Sequence, residues 1–263
     1  LTFIADLMRV DAVPNLVTST VERGVATLTL DSPHNRNALS AALVAQLGEA
    51  LAAAAADPGV RAVVLTHTGR VFCAGADLAE AAGGGIAEGT ARLLGLLRTI
   101  VELPKPVVAR VDGQVRAGGL GLLGACDIAL AGPASGFAFT EARLGVAPAV
   151  ISLTTLTRMP ERAAARYFLT GEVFDAEAAV ACGLVTQAGD DVDALLAEVL
   201  DGLRAASPQG LAASKLLTTA AVRQALDGRG ERLAEESARL FATDEAVEGM
   251  TAFLQRRKPS WAA

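Results

Sequence analysis

Apolar positions first gather in two short β-branched runs, Leu16 to Glu22 and Val25 to Asp31, separated by Arg23-Gly24. This predicts two strands joined by a tight turn. The pattern then lengthens. Ala41 to Ala56 is rich in Ala and Leu, follows Ser40, whose hydroxyl suits an N-cap, and ends at Asp57-Pro58-Gly59, which predicts a helix. Arg61 to Thr66 and Pro106 to Val111 read as buried strands, with a helix over Gly89 to Glu102 between them. From Asp191 onward only helical spacing remains, over Ala194 to Ala205, Gln209 to Leu226, Glu231 to Ala242 and Glu245 to Leu254. Strand and helix alternate and then strands cease, so the fold class is α/β, with an α/β part over residues 1–190 and a helical region over 191–263. No repeat with a period of 20 to 50 residues is visible.

Composition narrows the function classes. The 263 residues are 52% apolar, 20% charged and 4% aromatic, which excludes a disordered tail and leaves ample chain for a core. Twenty-three basic against 29 acidic residues leave a net charge of -6, and the longest basic run is Arg256-Arg257-Lys258, so no nucleic acid is expected as partner. The longest uncharged stretch, Leu144 to Thr157, is broken by Pro148 and falls short of the roughly 20 residues that span a bilayer, so no membrane span is expected. Leu1 to Val10 carries Asp6 and Arg9 and is not read as a secretion signal. Three cysteines, Cys73, Cys126 and Cys182, suit reduced thiols in a cytoplasm.

Three segments could carry chemistry. Gly69 to Leu78, GRVFCAGADL, leaves main-chain amides uncovered at Ala74, Gly75 and Ala76; it reads either as an anion cradle or as an ordinary strand-to-helix turn. Asp112 to Asp127, DGQVRAGGLGLLGACD, contains a literal G-x-G-x-x-G from Gly119 to Gly124, with Glu141 about 20 residues on. The nucleotide reading is discounted because Asp112 to Gly118 intervene after the strand and the glycines fall inside the helix; the plain alternative is close helix packing. Glu141, in FAFTEARLG, is flanked by apolar residues and follows an expected strand at Gly136 to Phe139. It reads either as a carboxyl with a raised pKa that exchanges protons near neutrality, or as a solvated helix start behind a Thr140 cap.

Other residues receive no role. His34 and His67 lack partners at triad or metal spacing, Cys73 reads as a small buried hydrophobe, Asp127 as the closer of a hydrogen-bonded turn, and no metal cluster is visible. Gly83-Gly84-Gly85 frees the backbone within the Ala79 to Thr90 region.

The order and spacing of these segments resembles the enoyl-CoA hydratase/isomerase (crotonase) family. The likeness runs from Val17 to the C-terminus, through Asn35-Arg36-Asn37-Ala38-Leu39, FCAGADL, LPKPVVA from Leu103, the AGG..L...CD helix, TEARLG, Leu169-Thr170-Gly171, Ala181-Cys182-Gly183-Leu184-Val185 and Phe241-Ala242-Thr243-Asp244. Parts of it are similar to methylglutaconyl-CoA hydratases. The resemblance implies a spiral of β-β-α turns binding acyl-CoA, followed by a helical C-terminal region used to form a homotrimer or a dimer of trimers. It implies thioester oxyanion donors at the amides of Ala76 and Gly118 and a glutamate acid/base at Glu141. Ala74, Gly75, Asp77 and Leu78 would line the oxyanion loop. Asn35 and Arg36 would follow the pantetheine and adenine end of CoA, while Phe241 and Lys258 would reach a neighbouring subunit's adenine nucleotide. No cofactor is implied, since CoA is part of the substrate.

One departure stands out. Family hydratases place a first glutamate after a glycine triplet, where this chain has Gly121, and its triplet reads Ala117-Gly118-Gly119. The resemblance still implies a 2-enoyl-CoA hydratase, since one carboxyl can deprotonate water for attack at Cβ and return that proton to Cα. A 3,2-enoyl-CoA isomerase working with one glutamate, or an inactive acyl-CoA-binding protein, are the alternatives. Arg116, two residues before Gly118, is a further expectation, as a partner for a distal carboxylate on a dicarboxylic acyl group.

Overall fold

The computed structural model describes residues 14–82 and 85–262; Leu1 to Val10 and the first two glycines of Gly83-Gly84-Gly85 lie outside them. In chain order the elements are β1 (Val17–Glu22), β2 (Val25–Leu30), α1 (Ala41–Ala56), β3 (Ala62–His67), β4 (Val71–Cys73), α2 (Leu78–Ala82), α3 (Ile86–Glu102), β5 (Val107–Val111), β6 (Gln114–Arg116), α4 (Gly118–Ala125), β7 (Ile128–Ala131) and β8 (Gly136–Ala138). A 3-10 turn, Glu141–Leu144, leads into α5 (Ala149–Thr155), α6 (Glu161–Thr170), β9 (Phe174–Asp175), α7 (Ala176–Ala181), β10 (Gln187–Ala188), α8 (Val192–Ala205), α9 (Pro208–Thr218), α10 (Ala220–Phe241) and α11 (Asp244–Leu254).

The hairpin forms as its sequence predicts. Arg23 and Gly24 both take positive φ, 49° and 78°, and β1 pairs antiparallel with β2 from Val17 against Leu30 to Glu22 against Val25. The Ser40 hydroxyl accepts from the Leu43 amide at 3.2 Å and starts α1. Beyond the hairpin the chain winds in turns of strand, strand, helix. β3, β5 and β7 join a six-stranded sheet in the order β1-β2-β3-β5-β7-β10, while β4, β6 and β8 join a second sheet in the order β4-β6-β8-β9. The β-β-α spiral implied by the resemblance is the observed architecture.

The apolar run of β3 serves two faces. Val63 and Leu65 enter the main core with Leu28, Leu47, Phe72 and Phe137, whereas Ala62 and Val64 pack with Leu200 of α8. A strand covered on both sides has no polar alternation to show. The helical region differs from the expected boundaries: the break falls at Thr219, and α10 runs unbroken through Gly228 and Gly230. The physical reason is packing. A β-carbon on Gly230 would lie 3.3 Å from a Leu94 methyl, so the glycine admits close approach of α10 to α3 instead of ending the helix.

The second sheet positions the chemistry. β4 pairs parallel with β6 and β6 with β8, so Cys73, Arg116 and Ala138 end three adjacent strands that point the same way. The three segments singled out in the sequence leave from these neighbouring carboxyl ends, where open α/β sheets generally present their ligand crevice.

Candidate active site

After β4, the Ala74 amide donates to the Arg36 carbonyl at 3.1 Å and the Gly75 carbonyl accepts from Leu39 at 2.8 Å, which ties this loop to the Asn35 turn. The Ala76 amide donates to no protein acceptor among the described residues, and neither does the Gly118 amide at the start of α4. The two loops touch. A β-carbon on Gly75 would lie 3.2 Å from the Gly118 nitrogen, and one on Gly118 would lie 3.5 Å from the Gly75 α-carbon. Ala76, Gly118 and Glu141 line one cavity of about 680 Å³.

Glu141 opens the 3-10 turn after β8 and is only 7% exposed, so the solvated helix start does not occur, and Thr140 makes no side-chain cap. Its Oε2 is buried with no hydrogen-bond partner among the described residues. Burial disfavours the anion and pushes the carboxyl up to about 7, poised to gain or lose a proton near neutrality. The other carboxylates of the wall are engaged. Asp77 accepts from the amides of Ala79 and Glu80 and from Asn35 Nδ2 at 2.8 Å, and Glu80 accepts from the Ala41 amide at 2.9 Å.

Gly121 has a structural reason. A β-carbon there would lie 2.6 Å from Ile151 Cγ2, so the space beside position 121 is filled by an aliphatic side chain of α5. The literal G-x-G-x-x-G lies inside α4, whose residues are all buried, so its glycines serve packing.

The remaining predicted residues divide. Asn35, Arg36, Ala74, Asp77, Leu78, Arg116 and Phe241 line the same cavity, whereas Gly75 sits behind it with φ 91°. Lys258 is exposed, outside the cavity wall, and its carbonyl accepts from Arg257. Phe241 lies in the wall of its own chain's cavity, joined there by Gly249, Phe253, Leu254 and Arg257, so residues on both sides of position 190 form the wall. Arg116 is half-buried. It donates to the carbonyls of Val115 and Gly136 at 2.9 and 2.7 Å and to Gln114 Oε1, and it has no acidic partner among the described residues. Arg36, Arg92 and Arg143 also line the cavity without an ion pair among the described residues.

Two contributors escaped the sequence reading. Buried Asn37, with φ 52°, accepts from the Ser32 amide and donates to the carbonyls of Thr68 and Val71, so its amide group holds the Asn35 turn against β4. Its location within the Asn-Arg-Asn run was the available signal. Arg92 had none, because a charge on a helix reads as solvated until the fold turns it toward a cavity. Among the described residues no cluster of metal-ligating side chains occurs, and no helix is long and apolar enough to cross a membrane.

Known proteins resemble this chain along most of its length. A family profile described as enoyl-CoA hydratase/isomerase matches residues 20–263. A crystal structure of an enoyl-CoA hydratase from Mycobacterium avium is 57% identical, with a TM-score of 0.89, covering 95% of this chain and 100% of that one. A Thermus thermophilus protein named as a candidate enoyl-CoA hydratase is 36% identical over 91% of this chain and 98% of its own length. The mitochondrial methylglutaconyl-CoA hydratase of Mus musculus is 29% identical over 91% of this chain and 80% of its own length.

Proposed function

The chain belongs to the enoyl-CoA hydratase/isomerase family, and on that premise we propose that it adds water reversibly to a 2-enoyl-CoA thioester. The thioester oxygen accepts from the amides of Ala76 and Gly118. Ionised Glu141 takes a proton from water as the hydroxide adds to Cβ, and the electron pair of the double bond moves toward the thioester oxygen as an enolate. The same carboxyl then returns its proton to Cα. Each amide donor of this kind typically stabilises the developing charge by about 3 kcal/mol. No separate cofactor enters, because CoA arrives as part of the substrate.

One observation carries the reading: an unpartnered, buried carboxyl held at about 7 shares a cavity with two free main-chain amides. The guanidinium groups without ion pairs on the wall support an anionic ligand such as the phosphates of CoA. Arg116 supports extending the substrate class to acyl groups that end in a carboxylate. Three buried, unbridged cysteines support a cytoplasmic location. The helices after residue 190 are read as the part that assembles a homotrimer or a dimer of trimers.

A 3,2-enoyl-CoA isomerase is the second reading, favoured by the Gly121–Ile151 contact, which leaves a single free carboxyl at the site. That group alone suffices to move a proton between substrate carbons. Absorbance of the conjugated enoyl thioester separates the two. Its loss with crotonyl-CoA is the expected result; its gain from a 3-enoyl-CoA, with no loss from crotonyl-CoA, would replace hydration by isomerisation.

A further inference from the structure

Ala117 sits between β6 and α4 with φ 46° and ψ -119°, a combination that an L side chain rarely adopts and that glycine takes freely. Arg36, with φ 54° and ψ 34°, occupies the ordinary left-handed well, so its positive φ is of a milder kind. The strain at Ala117 is held from both sides. Its amide donates to the Ala138 carbonyl at 3.2 Å, its carbonyl accepts from Leu120 at 2.8 Å, and the Arg116 guanidinium fastens the preceding strand to the Gly136 carbonyl.

The methyl group that makes this conformation costly lies against the opposite loop. A β-carbon on Gly75 would come within 2.7 Å of it, so the missing side chain at position 75 is matched by the one present at position 117. Ala76 follows the first and Gly118 the second. The two free amides therefore flank the point where one methyl meets one bare α-carbon.

We propose that Ala117 is a positioning residue whose methyl group, wedged against Gly75, fixes the distance between the Ala76 and Gly118 amides. Strain retained at such a place is a usual mark of a site whose geometry is over-determined by its surroundings. A glycine would relieve the strain and free the Gly118 amide to sample other directions, and oxyanion donors act only when aimed. This inference rests on the thioester site proposed above.

The test compares Ala117→Gly with Ala117→Ser, which keeps the β-carbon, in the full chain. Ala117→Gly is expected to raise the thermal midpoint, lower kcat about tenfold and move KM less than about twofold, while Ala117→Ser stays within about threefold of the parent. A readout without turnover is the carbonyl stretch of bound butyryl-CoA labelled with carbon-13 at the thioester, which two well-aimed donors lower. That displacement is expected to shrink in Ala117→Gly and persist in Ala117→Ser. Equal kcat and equal carbonyl displacement in Ala117→Gly and parent would overturn the proposal, as would a serine variant impaired as deeply as the glycine one. If the parent lowers the carbonyl frequency yet turns over neither 2-enoyl nor 3-enoyl substrate, the reaction assigned above falls and the carbonyl comparison alone decides the role of Ala117. A parent that leaves the frequency unchanged removes both.

Discussion

Asp127 and Glu141 are both largely withdrawn from water, and their surroundings make them opposites. Asp127, at the end of α4, accepts from the Val107 amide at 2.7 Å and faces Lys215 Nζ at 2.8 Å. Lys215, itself 5% exposed, also donates to the carbonyls of Ile100 and Lys105, so one ammonium joins α9 to the end of α3 and the start of β5. Each carboxylate keeps one buried oxygen without a partner among the described residues, Asp127 Oδ1 and Glu141 Oε2, but Glu141 has no such cation and lines the cavity. A counter-ion holds charge in place and makes a joint. Its absence leaves a proton free to come and go, which is the requirement of acid/base work.

The sharpest way to break the contrast is to take the cation from Asp127. Lys215→Met is expected to destabilise the fold by about 3 to 5 kcal/mol, because a buried charge is then uncompensated. Denaturant midpoints for this variant and for Lys215→Met with Asp127→Leu check it: the double variant should recover much of the loss. An equal loss in both would mean that the ion pair is not the joint. Next in size, Glu141→Gln is expected to lower turnover at least a hundredfold, about 3 kcal/mol of barrier, with acyl-CoA binding retained in calorimetry.

The same substitution should act on stability in the other direction. Burial lifts the Glu141 carboxyl from 4.5 to about 7, so between these values the folded chain keeps a proton that the unfolded chain releases. Stability therefore falls as pH rises through this window and levels off above it, by up to about 3 kcal/mol. Glu141→Gln should flatten that decline and be the more stable protein at pH 8; an unchanged slope would assign the pH dependence elsewhere. The smallest effect belongs to the rim. Asn35→Ala removes the bond to Asp77 between two cavity loops and should raise KM about fivefold, near 1 kcal/mol, without altering kcat.

The sequence displays the long elements well. α1 begins and ends where Ser40 and Asp57 predict, and the hairpin turns at Arg23-Gly24. Of the second sheet only β8 was legible, at Gly136 to Phe139, because β4 and β6 are three residues each and offer no measurable period. Those strands nonetheless bring the three motifs together. Glu141 carried two readings by itself, and only burial by the folded chain separates them. Its assigned role, like those of Ala76 and Gly118, came from the family resemblance. The Gly121–Ile151 contact joins residues 30 apart in sequence and belongs to packing alone. Thr219 ends a helix that composition would have ended at the later glycines; its hydroxyl bonds the Lys215 carbonyl at 2.6 Å, a local tie no periodicity displays.

The placement of chemistry on the tips of parallel neighbours has an evolutionary consequence. Main-chain pairing holds β4, β6 and β8 in register whatever residues follow them, so each tip can be rewritten by mutation while the other two stay put. A lineage built this way can exchange the group at one tip and explore a new reaction without first rebuilding its scaffold.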